Sequence, residues 1–395
     1  MAHIINLAVQ VALKTLKATP SDQPESYRVD ENSVQQLVLG RGDESILTAL
    51  AKLRKHIYIF RNRRAWKDAL RSQCLALNIT PIQLSLDMPI RWNSTYDMLY
   101  KALKLQGPIT AHCAAQQLDS SIRDIALTAS DWSHLQDLLA FFQIFIRPSR
   151  QLQAEEYPTL NKAIPQYLRM INKLKVQQTQ FDTNGLIGDA CKASISKLEE
   201  YYTLATSQRA SHSIVATICD PRLNWNVFNI LWTASSDDIK KRRARKQWEE
   251  CYHKYSAREH ELSGFQIQAS IEDTEDPEDP DSEDELYVTK GNPVIEAEWI
   301  RWLKEPVVGK EVDICKYWQG KQYEYPIVAK IARDHLAIPA TSAPSERVFS
   351  VGSDLVTKKR NRLAPGTVRE ILCLRDWGIL EDAENIDSEG ANSEV

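Results

Sequence analysis

Three acidic residues stand where a carboxylate could hold a divalent cation. Glu346 lies between Pro344 and the apolar pair Val348 and Phe349, near the expected start of a helix and placed to point into a cleft. Asp87 precedes Pro89 by two residues, and Asp220 directly precedes Pro221. Metal-dependent cleavage of a phosphodiester needs carboxylates that clamp two ions about 3.5–4 Å apart, one activating the attacking oxygen and one stabilising the leaving oxygen. Each acid also has a plainer reading. A glutamate in a first helical turn complements the helix dipole by about 0.3–1 kcal/mol, and an aspartate close before proline is a turn former. No other catalytic pattern is present. There is no glycine-rich phosphate loop and no G-x-S-x-G elbow, and thirteen glycines are too few to suggest a nucleotide-binding sheet. His112–Cys113 and Cys251–His253 have no second pair at zinc-finger spacing, so no metal site is read from them. The seven cysteines form no C-x-x-C pair and are expected to be reduced thiols.

Cations gather in runs. Arg61, Arg63, Arg64 and Lys67 surround Trp66, and Lys240, Lys241, Arg242, Arg243, Arg245 and Lys246 form a second group. Either group could face phosphate or form the wet face of an amphipathic helix. The net charge of −4 conceals the asymmetry. Residues 272–285 hold ten carboxylates and 381–395 hold six, neither with a Lys or Arg, so the other 366 residues carry +12. A basic body suits a polyanionic partner. With 395 residues, 43% hydrophobic and 26% charged, the composition excludes a disordered chain, collagen and a disulfide miniprotein. No apolar run approaches the ~18–20 residues of a membrane helix and no signal peptide opens the chain, which predicts a cytosolic or nuclear location and no membrane partner.

The elements that must position these groups are mostly helical. Ile4, Leu7, Ala8 and Val11, with Ile5, Val9, Ala12 and Leu16 beside them, predict a helix buried on most sides. Nothing ahead of Met1 covers it, so the reading expects a cut through a domain. Residues 19–46 read as a loop. Ile82, Leu84, Leu86 and Met88 alternate with polar residues up to Pro89 and predict a short strand or an extended piece that delivers Arg91-Trp92-Asn93-Ser94. From 95 to about 265 helices dominate, one of them capped by Ser130 and buried through Leu135, Leu138, Leu139, Phe142 and Ile146. Residues 272–285 predict a disordered linker. Beyond it Trp299, Trp302 and Trp318 mark helical pieces. Pro326 opens a helix that Pro339 stops, a second helix surrounds Ser345–Ser350, and a last one runs from Pro365 through Trp377.

The block Leu336-Ala337-Ile338-Pro339-Ala340-Thr341-Ser342-Ala343-Pro344-Ser345-Glu346-Arg347-Val348-Phe349-Ser350, then Lys358-Lys359-Arg360-Asn361-Arg362-Leu363 and the helix ending at Trp377, closely resembles the C-terminal dimerisation region of hAT-family transposases. Upstream, Asp87 to Leu99 (Asp-Met-Pro-Ile-Arg-Trp-Asn-Ser-Thr-Tyr-Asp-Met-Leu) resembles the family's Arg-Trp block. His3-Ile4-Ile5-Asn6-Leu7 resembles the helix after its second catalytic aspartate. Weaker likenesses at Tyr157–Leu160 and Asp220–Arg222 follow in family order.

The resemblance implies an α+β, predominantly helical chain in which an incomplete RNase H-like fold is interrupted by a large helical insertion. The implied division is 1–35 as a remnant of the RNase H-like core, 36–265 as the helical insertion with the Arg-Trp block, and 266–292 as an acidic disordered linker. Residues 293–380 become the dimerisation region that completes the fold, and 381–395 an acidic disordered tail. Family catalysis uses Asp, Asp and Glu with Mg²⁺ or Mn²⁺. Glu346 matches the Glu, whereas the two aspartates and a zinc-finger DNA-binding module fall upstream of the sequence given, so no strand cleavage is expected from this polypeptide alone and no cofactor is assigned to it. Val368, Ile371, Leu372 and Trp377 are the expected homodimer contacts, with packing inside the monomer as the alternative. Trp92, beside Arg91, is implied as a platform for an extruded base, with a core role as the alternative. Lys358, Lys359, Arg360 and Arg362 would neutralise phosphates or signal nuclear import, or form a solvated turn. Ala364 stands where the family usually has a Ser or Thr cap, a change worth about 1 kcal/mol, which predicts a frayed last helix. Three functions follow: a dimerising hAT-derived protein with possible DNA binding, a truncated form of an active DDE-type DNA transposase, or a repurposed protein-interaction scaffold.

Overall fold

The apolar spacing at three and four residues makes most of the described chain helical. The structure, a computed structural model, describes residues 2–19, 46–88, 91–115, 125–180, 185–207, 211–269, 296–355 and 363–378. Sixteen α-helices lie within them: α1 (Ala2–Thr15), α2 (Ile46–Asn62), α3 (Arg64–Ala76), α4 (Trp92–Lys104), α5 (Gln106–Ala115), α6 (Ala129–Leu152), α7 (Ala163–Gln180), α8 (Leu186–Ser207), α9 (His212–Cys219), α10 (Asn226–Leu231), α11 (Asp238–Ala269), α12 (Glu298–Lys304), α13 (Ile314–Lys321), α14 (Pro326–Leu336), α15 (Ala343–Leu355) and α16 (Pro365–Asp376). The expected predominance of helix is met. The expected sheet is not: among the described residues there is no strand, only the isolated bridge between Met88 and Arg91, and an RNase H-like core is not reproduced. Of the two expected forms Ile82–Leu86 takes the extended piece: it pairs with no second strand among the described residues, because alternation places side chains but a ladder needs a neighbour. No described helix is long and apolar enough to cross a membrane.

α1 buries Ile5, Ala8, Val9, Ala12, Leu13 and Leu16 against α8, with further contacts to α6 and α4. The Ser194 hydroxyl of α8 donates to the Ala8 carbonyl at 3.0 Å, which ties the two helices together. One hydrophobic cluster runs from Ile5 to Ala340, so the first helix and the post-linker helices α12–α14 share a core with the helical body. α6 starts earlier than Ser130. Thr128 is its cap, the Thr128 hydroxyl accepting from Asp131 N–H and the Asp131 carboxylate accepting from Thr128 N–H, a reciprocal pair that Ser130, already inside the helix, could not form. α11 runs on to Ala269, four residues into the expected linker. The acidic stretch 272–285 and the tail 381–395 lie outside the described residues.

After the linker, Trp302 and Trp318 pack with ring centroids 4.6 Å apart, and Tyr325 meets Trp302 edge-on. Their indoles donate to the Ile218 and Cys219 carbonyls, so the last carbonyls of α9 are satisfied by tryptophans from α12 and α13. Pro326 stands at the first position of α14, as expected. α15 and α16 then form a hairpin whose principal packing is against each other.

Candidate functional site

Glu346 sits in the first turn of α15, exposed. Its carboxylate accepts from the Ser342 hydroxyl at 2.6 Å and its N–H donates to the Ser342 carbonyl at 2.9 Å, so Ser342 holds Glu346 at the start of the helix. The next residue anchors α15 to the body: Arg347 donates to the Glu155 carboxylate at 2.7 Å and to the Gln153 carbonyl at 2.6 Å. Nearby, the Ala340 N–H donates to the buried Thr159 hydroxyl. These contacts border a cleft of about 450 Å³ lined by Glu155, Tyr157, Pro158, Pro339, Pro344 and Val348.

Neither other candidate acid joins Glu346. Asp87 does not form the expected turn. It is buried in extended backbone, where it accepts from Arg54 Nε at 3.0 Å, Arg54 Nη2 at 2.7 Å and the Thr95 hydroxyl at 3.0 Å. Arg54 Nη2 also donates to the Ala18 carbonyl, so this ion pair fastens the end of α1, the middle of α2 and the first turn of α4. Nothing in local sequence marked Arg54 as its partner, thirty-three residues away. Asp220 does form a turn, accepting from the Arg222 N–H at 3.0 Å, and it is also chelated by the Arg222 guanidinium and contacted by Asn161 Nδ2. Among the described residues no three His, Cys, Asp or Glu side chains gather as a metal would require. All seven cysteines are free, and burial pushes the Cys113 and Cys251 thiols up to about 11 and Cys191 to about 12, so these three are poor thiolates.

Arg91 is exposed at the cap of α4, but Trp92 points inward at 4% exposure, stacked on Phe142 and edge-on to Phe145. Of its two readings, the side chain occupies the core position. Lys358, Lys359, Arg360 and Arg362 lie outside the described residues. Trp66 is half-buried between Phe60 and the imidazole of His112.

The hairpin is the most distinctive apolar feature. Gly352 lets α16 approach α15, since a Cβ there would stand 3.3 Å from Leu372. Val348, Phe349, Val368, Leu372 and Trp377 line a groove of about 500 Å³. Val368, Ile371 and Leu372 are half-buried, while Phe349 and Trp377 remain 72% and 68% exposed. Large exposed aromatics beside one apolar groove are the composition of an interface core rather than of a solvated surface. Phe349 was not singled out by sequence, although its place beside Val348 at the start of the helix was the available signal. Ala364 does lack a capping side chain at the start of α16.

Two family models match: the hAT family C-terminal dimerisation region over residues 298–378 and the ZBED1 RNase-like helical domain over residues 1–141. The chain is 24% identical over 376 residues to "Putative transcriptional regulator tpeD" of Talaromyces stipitatus, covering 94% of this chain and 40% of that protein. It is 27% identical over 310 residues to "Putative AC transposase" of Zea mays, covering 74% and 37%. With the Arabidopsis thaliana protein named zinc finger BED domain-containing protein DAYSLEEPER it shares 24% identity over 314 residues, 76% and 42% of the two chains. The chain therefore spans about 40% of the length of these relatives. The match over 298–378 takes in the α15–α16 hairpin and Glu346, and the match over 1–141 takes in α1 and the Arg-Trp block, which makes this chain an hAT-family transposase-like protein.

Proposed function

We propose that this chain is a nuclear, DNA-associated hAT-type protein that forms a homodimer through the α15–α16 hairpin and does not cleave DNA strands by itself. The exposure of Phe349 and Trp377 on either side of an apolar groove carries the reading. Two copies placed about a twofold axis would each present the same aromatic pair and the same groove, the self-complementary arrangement of an isologous interface. The family model over this region is described by its dimerisation, which supports the same assignment. The want of catalysis rests on Glu346, whose carboxylate is held by Ser342, while Asp87 and Asp220 are each held by an arginine elsewhere. A single free carboxylate cannot position two ions. The basic body is the feature that supports association with DNA, and the transposase and BED zinc finger names of the relatives support a nuclear place for it.

Light scattering on the purified chain tests the interface. The mass at tens of micromolar should be twice 45.1 kDa, and Phe349→Asp with Trp377→Asp should return it to one copy while the helical circular dichroism is kept. Leu372→Asp, from inside the hairpin, should do the same. A wild-type chain that is monomeric at these concentrations refutes the proposal.

A further inference from the structure

A groove that no likeness to the family assigns lies between the end of α2, one face of α3 and the extended segment that follows. Its volume is about 550 Å³, and its lining includes Arg61, Lys67, Arg71, Leu70, Ile82 and Leu84. Leu70 and Leu84 are buried and form part of an apolar floor. Arg61, Lys67 and Arg71 are exposed around it, Lys67 and Arg71 one helical turn apart on α3. None of the three is in an ion pair with a described residue. The one acid of the lining, Asp68, lies 3.9 Å from Arg64, an exposed cation that is not part of the lining. Residues 60–76 hold five cations against this one acid.

We infer that this groove binds a single strand of nucleic acid, phosphates taken by Arg61, Lys67 and Arg71 and base faces laid on the apolar floor. Three exposed cations around one hollow, with Asp68 the one acid of its lining, make a local positive potential that suits a polyanion, and releasing the counterions of that polyanion drives binding. The hollow has the volume of a small-ligand cleft, room for a nucleotide or two but not for a duplex. An acidic peptide would satisfy the cations, but it would leave the floor without the flat apolar faces that bases supply. The inference rests on the reading that the chain associates with DNA, and it names where.

The test uses the full chain and fluorescein-labelled dT20 in anisotropy titrations at several salt concentrations, with a duplex of equal length and poly-glutamate as competitors. The groove variant is Arg61→Gln/Lys67→Gln/Arg71→Gln. Lys241→Gln/Arg242→Gln/Arg243→Gln on α11 makes the same charge change elsewhere. The groove variant should lose about tenfold in affinity at low salt, and its slope of log K against log salt should shrink by about 2, three contacts at roughly 0.7 each. The α11 variant should stay within twofold of wild type. If the wild type does not bind dT20, both the DNA reading and the groove fall. If it binds but the groove variant is unchanged, or the α11 variant loses as much, the groove falls and association with DNA stands. A duplex that binds more tightly than dT20 and loses as much in the groove variant, or poly-glutamate that displaces dT20 charge for charge, refutes the single-strand assignment.

Discussion

Replacing Asp87 by alanine should cost about 3–5 kcal/mol of folding stability, because it takes the carboxylate counter-charge from the buried Arg54 guanidinium. The two side chains are 7% and 0% exposed and their closest approach is 2.7 Å. At about 4 Å and the effective dielectric of a protein, one pair of unit charges is worth about 4 kcal/mol, and little water reaches Arg54 to replace it. The alanine variant also takes the acceptor from the Thr95 hydroxyl. Urea unfolding at neutral pH followed by circular dichroism measures the loss as a lower midpoint at constant slope. Arg54→Met/Asp87→Leu, which removes both charges and refills the volume, should cost clearly less than Asp87→Ala, since no charge is left unpaired. A loss below about 1 kcal/mol in Asp87→Ala, or a double variant as damaged as the sum of the two single ones, would refute the reasoning and reopen Asp87 as a free carboxylate.

Acid should weaken the fold through His56, whose imidazole is pushed down to about 4, first by burial, with Lys52 and His112 adding repulsion and the Ile125 carbonyl opposing. The folded ring stays neutral while the unfolded one takes a proton below about 6.5, so the stability is complete above pH 6.5 and drains as pH falls toward 4, by about 3 kcal/mol. His112 and His335 are lowered in the same direction, also by burial first. His56→Gln should flatten the urea midpoint between pH 6.5 and 4, and an unchanged pH dependence contradicts the assignment. Trp92→Ala should cost about 3–5 kcal/mol by emptying the space against Phe142 and Phe145, whereas Trp92→Phe should keep most of it; a negligible cost for the alanine would place Trp92 outside the core.

Helices were legible wherever spacing alone decides burial. The α1 stripe, the helix through Leu135 and Phe142, and the proline starts of α14 and α16 are properties of neighbouring residues, and they appear where periodicity puts them. Between the strand and the extended piece that 82–88 allowed, local sequence could not choose, because alternation describes an extended chain but not its partner; the structure takes the extended piece. The cap expected at Ser130 falls two residues earlier because the reciprocal bond between Thr128 and Asp131 is decided by geometry. Of the candidate site, Glu346 and the apolar positions on the last helix were visible as a motif. The role of Phe349 was hidden because exposure depends on what fails to cover a side chain.

By itself, the sequence determined the helical class, the ordered family blocks and the uneven charge, since these follow from residue type and short-range spacing. Only the tertiary structure decided that Asp87 and Asp220 are each spent on an arginine, that Trp92 faces the core, and that Arg61, Lys67 and Arg71 surround one hollow. Those outcomes depend on which distant groups come within a few ångströms once water is excluded, and no local pattern of residues contains that distance.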